Sequence, residues 1–169
     1  AGAMNIASND FLASGCDEMI VIDTDILFTS QQLSFLLEHD EKLVFGIYPK
    51  KQVGLVFPME WRSEENPFDP NPFLPGINPL VEVKRVARGF MRVHRDVLGR
   101  MAWGGGVPTY TDGETGKTFW EFWQHLPGGH SEDFAFCDLW RSCGGRVLVD
   151  QRISAQHEGS VVYPIPGTF

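Results

Sequence analysis

Long apolar runs are missing from this 169-residue chain. None approaches the roughly 20 residues that cross a bilayer, and none has the layout of a signal peptide. Cysteine is scarce: three residues cannot pair completely, and Cys137 and Cys143 fall at helix positions. No disulfide framework is expected, and a reduced, cytoplasmic setting is. Basic residues are also few. Fourteen Lys and Arg against 22 Asp and Glu leave a net charge of −8, which argues against nucleic acid as a partner because such a surface needs a basic stripe. An acidic chain that handles phosphate must use a metal ion or local basic groups. Repeats, low-complexity tracts and linkers are absent as well, so residues 1–169 are expected to form one domain. What is present is an ordinary globular composition, 43% hydrophobic and 21% charged, long enough to bury a core without staples.

The first third carries α/β signals. Ala1 to Ala3 look like a cloning scar ahead of Met4; Ala3, Ala7 and Phe11 fall at helical spacing, with Gly15 as a stop. Glu18 to Asp23 is too short for a helix and rich in β-branched residues, which predicts a strand covered on both faces, as in a parallel sheet. Thr29 and Gln32 form a capping box ahead of a helix whose apolar face is Leu33, Leu36 and Leu37. Leu43 to Tyr48 is a second buried strand. Val53 to Phe57 is predicted as a short strand before a proline-rich irregular loop over about 58–79. Leu80 to Val86 and Phe90 to His94 alternate as half-exposed antiparallel strands do, and Arg95 to Met101 suggests a short helix. Ser131 caps a helix running through Cys143, and Arg146 to Val149 is the last expected strand.

Three places carry candidate chemistry. Asp23-Thr24-Asp25 ends the first buried strand, where ligands of open α/β sheets gather, and two acids around one residue suit a divalent cation. Glu132 and Asp133 open a helix; acids there complement its dipole, and one of them in a cleft could equally be a general base. His157 follows the last expected strand. Lys50 and Lys51 follow the second buried strand and would suit phosphate charge.

Taken together these elements resemble metal-dependent GT-A-fold glycosyltransferases. The resemblance runs from Asn5 with Phe11-Leu12, through Ile20-Val-Ile-Asp-Thr-Asp25-Ile26 and Gly46-Ile-Tyr-Pro-Lys50-Lys51, to Arg88-Gly-Phe90, Ser131-Glu-Asp133 with Phe136-Cys137, and His157-Glu-Gly159. It covers about residues 5–160, and its specificity lies in the order of the pieces. It implies an N-terminally shortened GT-A-like α/β fold with a mostly parallel sheet. It also implies Mn²⁺ or Mg²⁺ held by Asp25, Asp23 and His157, and a nucleotide-sugar donor contacted by Asp23, Asp25, Asn5, Lys50 and Lys51. Asp133, or else Glu132, becomes the base for an acceptor hydroxyl, in an inverting reaction. Gly89, Phe90 and Trp120 are placed beside that acceptor, a carbohydrate or another hydroxyl compound.

One departure matters: a single helix precedes the Asp-x-Asp strand, where such enzymes place several strand–helix units that bind the nucleoside base. The expectation is a missing N-terminal segment, weak base-indifferent donor binding, and an exposed first strand that self-associates or takes a partner segment. Two other readings compete. A haloacid-dehalogenase-like Mg²⁺-dependent phosphatase would use Asp23 as nucleophile and Glu132-Asp133 on the metal, although Ile26-Leu27 replaces the Gly-Thr usual in that loop. A non-catalytic relative acting as a binding module is the other.

Overall fold

The computed structural model describes residues 2–52, 55–61, 79–104, 106–125, 131–159 and, for the backbone alone, 162–163. Local signals explain most elements. Helix α1 (Gly2–Ser14) stops at Gly15, whose φ of 81° is a left-handed conformation that costs a glycine nothing. Strand β1 (Glu18–Ile22), a turn and the two-residue β2 (Ile26–Leu27) follow. Thr29 caps α2 (Ser30–Leu37) with the complete capping box: its hydroxyl accepts from the Gln32 amide, and the Gln32 side chain accepts from the Thr29 amide. Then come β3 (Leu43–Ile47), β4 (Met59–Trp61), β5 (Leu80–Val86) and β6 (Phe90–His94), with α3 (Arg95–Gly104) growing directly out of β6. The hairpin of β7 (Thr109–Thr111) and β8 (Thr118–Trp120) precedes α4 (Glu132–Ser142), whose N-cap is Ser131. Strands β9 (Val147–Ser154), β10 (Gln156–Glu158) and β11 (Val162–Tyr163) end the described chain.

Six strands form one mixed sheet in the order β1-β6-β3-β9-β5-β4, and β11-β10-β2 form a smaller one. Alternation along β3 assigns the large sheet's two faces. Leu43, Phe45 and Ile47 join Met91, Val93, Val147 and Val149 in the main core, where Phe11 of α1, Val97 and Leu98 of α3 and Phe136 of α4 cover them. Val44, Tyr48 and Phe90 point the other way and pack with Leu36 of α2, Ile26 and Ile153. The result is an α/β layering with α1, α3 and α4 on one face and α2 with the small sheet on the other. Among the described residues no helix is long and apolar enough to cross a membrane.

Several expectations need correction. The large sheet is not mostly parallel: β3 with β9 is its parallel pair, while β1–β6, β3–β6, β5–β9 and β4–β5 are antiparallel. An unbroken apolar run reports burial on both faces, and a central antiparallel strand meets that condition as well as a parallel one. β1 is an edge strand rather than a doubly covered one, and Ile20 stands 38% exposed. β6 is buried along Phe90 to Val93 instead of half-exposed. The short strand lies at Met59–Trp61; Leu55 to Phe57 form none, and Val53 and Gly54 lie outside the described residues, as does most of the proline-rich segment. β9 extends five residues past Val149 to Ser154. Leu37 is exposed, and α1 buries Asn5, Ser8 and Phe11 rather than its alanines.

Asn5 explains that shift of face. Its Oδ1 accepts from the Trp123 amide at 2.9 Å and its Nδ2 donates to the Trp123 carbonyl at 3.1 Å, while the Trp123 indole N–H donates to Ser8 Oγ. Two buried backbone groups of an irregular segment are thus satisfied by one amide. Asn5→Ala would orphan both and should lower unfolding free energy by about 2–4 kcal/mol in a denaturant titration. A change below about 0.5 kcal/mol would return Asn5 to the list of ligand-binding candidates.

Candidate functional site

The site is built where β1 ends. The Asp23 amide donates to the Gly89 carbonyl at 2.9 Å, carrying the β1–β6 ladder one residue further. Its carbonyl then accepts from the Ile26 amide at 3.1 Å, which closes a turn over Thr24 and Asp25. Because β2 pairs with β10, Ile26 lies opposite His157, and the Glu158 amide donates to the Asp25 carbonyl at 2.8 Å. Two segments about 130 residues apart therefore meet through backbone pairing alone.

The side chains that result face one another. His157 Nε2 lies 3.4 Å from Asp25 Oδ2, and Lys51 Nζ lies 2.5 Å from the same oxygen. The other imidazole nitrogen, Nδ1, is 2.9 Å from the Pro49 carbonyl. A carbonyl only accepts, so Nδ1 carries a proton, and the other ring nitrogen, Nε2, faces Asp25. Lone pair against carboxylate is repulsive unless a proton or a cation stands between them. The ring is also fixed edge-on by Tyr48, with centroids 5.2 Å apart. Lys51 holds the Asp25 carboxyl below the usual carboxylate range.

A second group sits beside the first. Arg88 donates to Asp133 Oδ1 at 2.6 Å, lies 3.3 Å from Glu132 Oε1 and packs over the Trp123 ring at 5.6 Å. Its Nε is buried and meets no acceptor among the described residues. His125 lies 3.2 Å from the other Glu132 oxygen. Between the two groups, the Gly89 amide donates to the Tyr48 hydroxyl at 3.0 Å, and a Cβ on Gly89 would fall 2.5 Å from that oxygen. No other residue fits there. Burial pushes the Tyr48 phenol up, so it remains protonated at neutral pH.

Asp23 connects the groups electrostatically. Burial raises its pKa, Arg88 opposes this, and Asp133 and Asp25 reinforce it. An acid whose folded pKa is raised binds a proton more readily when folded, so its contribution favours folding below the ordinary carboxylate pKa and is lost as pH rises through the folded value. Asp23→Asn should therefore stabilise the metal-free protein at pH 7, with the gain shrinking as pH falls towards 4. Thermal unfolding across that range checks the sign; destabilisation at pH 7 would contradict it. Such a cost at neutral pH fits a group kept for ligand charge rather than for folding.

The expected site residues divide accordingly. Asp25, Lys51 and His157 converge, as do Glu132 and Asp133 on Arg88, with Asp23 and Gly89 between. Asn5 is consumed by the Trp123 backbone, and Lys50 is exposed, its amide donating to the Val56 carbonyl. Phe90 is fully buried against Phe28 and belongs to the core, so its acceptor role is withdrawn. Trp120 packs against the main core, with its backbone tied to Asn9 of α1. Asp23 does not join Asp25 and His157 in a compact ligand set. Among the described residues that arrangement occurs only at Glu38, His39 and Asp150, where the Arg152 guanidinium already bonds both acids and supplies the positive charge. Arg88 and Tyr48 were quoted in the sequence resemblance without a role; nothing local marks them, because their importance comes from what packs against them.

No protein-family model matches the chain, and no curated protein does. Among solved structures, the chain is similar to A197 from STIV, with a TM-score of 0.54 at 17% identity. The match covers 93% of this chain and 66% of that one, so the chain spans just under two thirds of A197's length. At that identity the likeness is one of fold.

Proposed function

We propose that this chain is the metal-binding and catalytic part of a GT-A-type glycosyltransferase, moving a sugar with inversion from a nucleotide-sugar to a hydroxyl acceptor. The observation that carries the reading is the convergence of Asp25, His157 and Lys51 on one oxygen, with Arg88 and two further acids alongside. The ligand chemistry fits Mn²⁺ or Mg²⁺. Separation of 3.4 Å between Nε2 and Oδ2 is close to the roughly 3 Å edge of an octahedron with bonds of about 2.1 Å. The Nδ1–H to Pro49 contact is the kind of outer support that orients a ligating histidine. Asp23, set apart from these two, is better suited to the sugar or ribose than to direct ligation. When bound, the metal supplies Lewis-acid stabilisation of the departing diphosphate.

The chain's own residues do the rest. Lys51 and Asp25 are both more than a third exposed, and such a pair is worth about 1 kcal/mol or less, so Lys51 would yield Asp25 to a divalent ion at little cost. Its ammonium would then supply, toward a diphosphate, positive charge that is scarce in this acidic chain. Arg88 holds the Asp133 carboxylate in one orientation; that carboxylate takes the acceptor proton as the new glycosidic bond forms and the bond to the diphosphate breaks.

Incubation with a panel of nucleotide-sugars and Mn²⁺, read as nucleoside diphosphate released with and without added saccharide acceptors, tests the reading. Release that needs both metal and Asp25 supports it. Metal-dependent hydrolysis of a generic aryl phosphate with no action on nucleotide-sugars would replace it by the phosphatase reading.

A further inference from the structure

β6 leaves the candidate site at Phe90 and reaches the other end of the sheet at His94, where α3 begins. There a cavity of about 670 Å³ is lined by Lys42, Arg95, Asp96, Arg100, Trp103 and Trp140, among others. That volume is within the range of small-molecule sites. Its residues are distinct from those around Asp25, and α4, with Glu132 at one end and Trp140 near the other, separates the two by roughly 12 Å of helix.

Trp103 is the anomaly. It is 77% exposed, the most of any large apolar side chain described. It is nevertheless supported, because the indole lies against the bare backbone of Gly99 one turn earlier, and a Cβ at position 99 would fall 2.7 Å from its Cζ3. A supported indole with its remaining surface open is a platform for a ring. Beside it, Lys42 is paired with Asp96, and Arg95 is held by the Leu12 carbonyl. Arg100 has no acceptor among the described residues and only lies over the Trp140 ring at 5.9 Å. The cavity thus has one uncommitted cation, positive charge in excess, and one carboxylate whose Oδ1 has no described partner.

We propose that this cavity binds an anionic saccharide. The sugar ring lies on Trp103, its acidic group meets Arg100, and a hydroxyl donates to Asp96. A single platform rather than a pair of facing rings suits a pyranose better than a clamped nucleobase, and Asp96 suits a hydroxyl donor while repelling a polyphosphate. The inference goes beyond the donor site and uses none of its residues.

The test titrates the full chain, without metal, with trigalacturonate and glucose 6-phosphate as two sources of the acidic group, maltotriose as the neutral control, and uridine monophosphate. Tryptophan fluorescence and calorimetry are the readouts. At least one acidic sugar should bind with a dissociation constant of about a millimolar, and maltotriose at least tenfold more weakly. Trp103→Ala should lose tenfold or more and Trp103→Phe retain most of the affinity; Arg100→Gln should bring acidic and neutral sugars level; Asp25→Ala should bind as the parent does. Equal binding of maltotriose, full affinity in Trp103→Ala, or preference for uridine monophosphate that depends on Trp103 would each overturn the proposal. Since metal and Asp25 are not needed, this result stands or falls separately from glycosyl transfer.

Discussion

Asp25→Ala should abolish metal-dependent sugar transfer, lowering turnover by about a thousandfold, since Lewis-acid stabilisation of a leaving diphosphate is worth several kcal/mol. It should also flatten a calorimetric titration with Mn²⁺. The magnitude follows from geometry: one carboxylate oxygen is faced by both His157 and Lys51, so removing it eliminates the joint point of the site. Lys51→Met gives the contrasting signature. Freeing Asp25 of its ammonium should tighten Mn²⁺ binding a few-fold while weakening nucleoside diphosphate binding. Folding should suffer little in either variant, because the pair is solvent-exposed. Unchanged Mn²⁺ affinity in Asp25→Ala would remove this residue from the metal site.

Asp133→Asn should lower turnover by roughly a hundredfold or more while leaving donor and metal binding nearly intact. The same substitution weakens the ion pair with half-buried Arg88, so thermal unfolding must be measured alongside. A loss of stability with turnover preserved would make Asp133 a helix-terminus and Arg88 partner only. Glu132→Gln is the companion variant. Glu132 lies at the longer Arg88 distance of 3.3 Å and beside His125, whose side chain is largely exposed. If Glu132→Gln is the damaging change, the base is one residue earlier and Asp133 positions Arg88.

Legibility in the sequence tracked the range of the interactions involved. Local chemistry was readable: the Thr29–Gln32 box, the Ser131 cap, the Gly15 stop and the fully buried β3 all depend on neighbours within a few positions. The turn after β1 placed Asp23 and Asp25 correctly at a strand end. Direction of pairing was not readable, since burial on both faces looks the same in a parallel and a central antiparallel strand. Nor was the role of Asn5: a polar residue in a helix gives no sign that it will be spent on the Trp123 backbone 118 residues away.

By itself, the sequence determined an α/β fold, the stop of α1, the N-caps of α2 and α4, and which acids and lysine stand at strand and helix ends, because capping, turn closure and apolar periodicity are short-range effects. Tertiary structure alone decided which of those groups meet. β2–β10 pairing carries His157 to Asp25, the bare Gly89 admits the Tyr48 hydroxyl, and Arg88 collects Asp133 and Glu132. It also decided that Phe90 belongs to the core. The physical reason is common to all of these. Such contacts join residues tens to more than a hundred positions apart, and their existence depends on the sheet order, which no local pattern encodes.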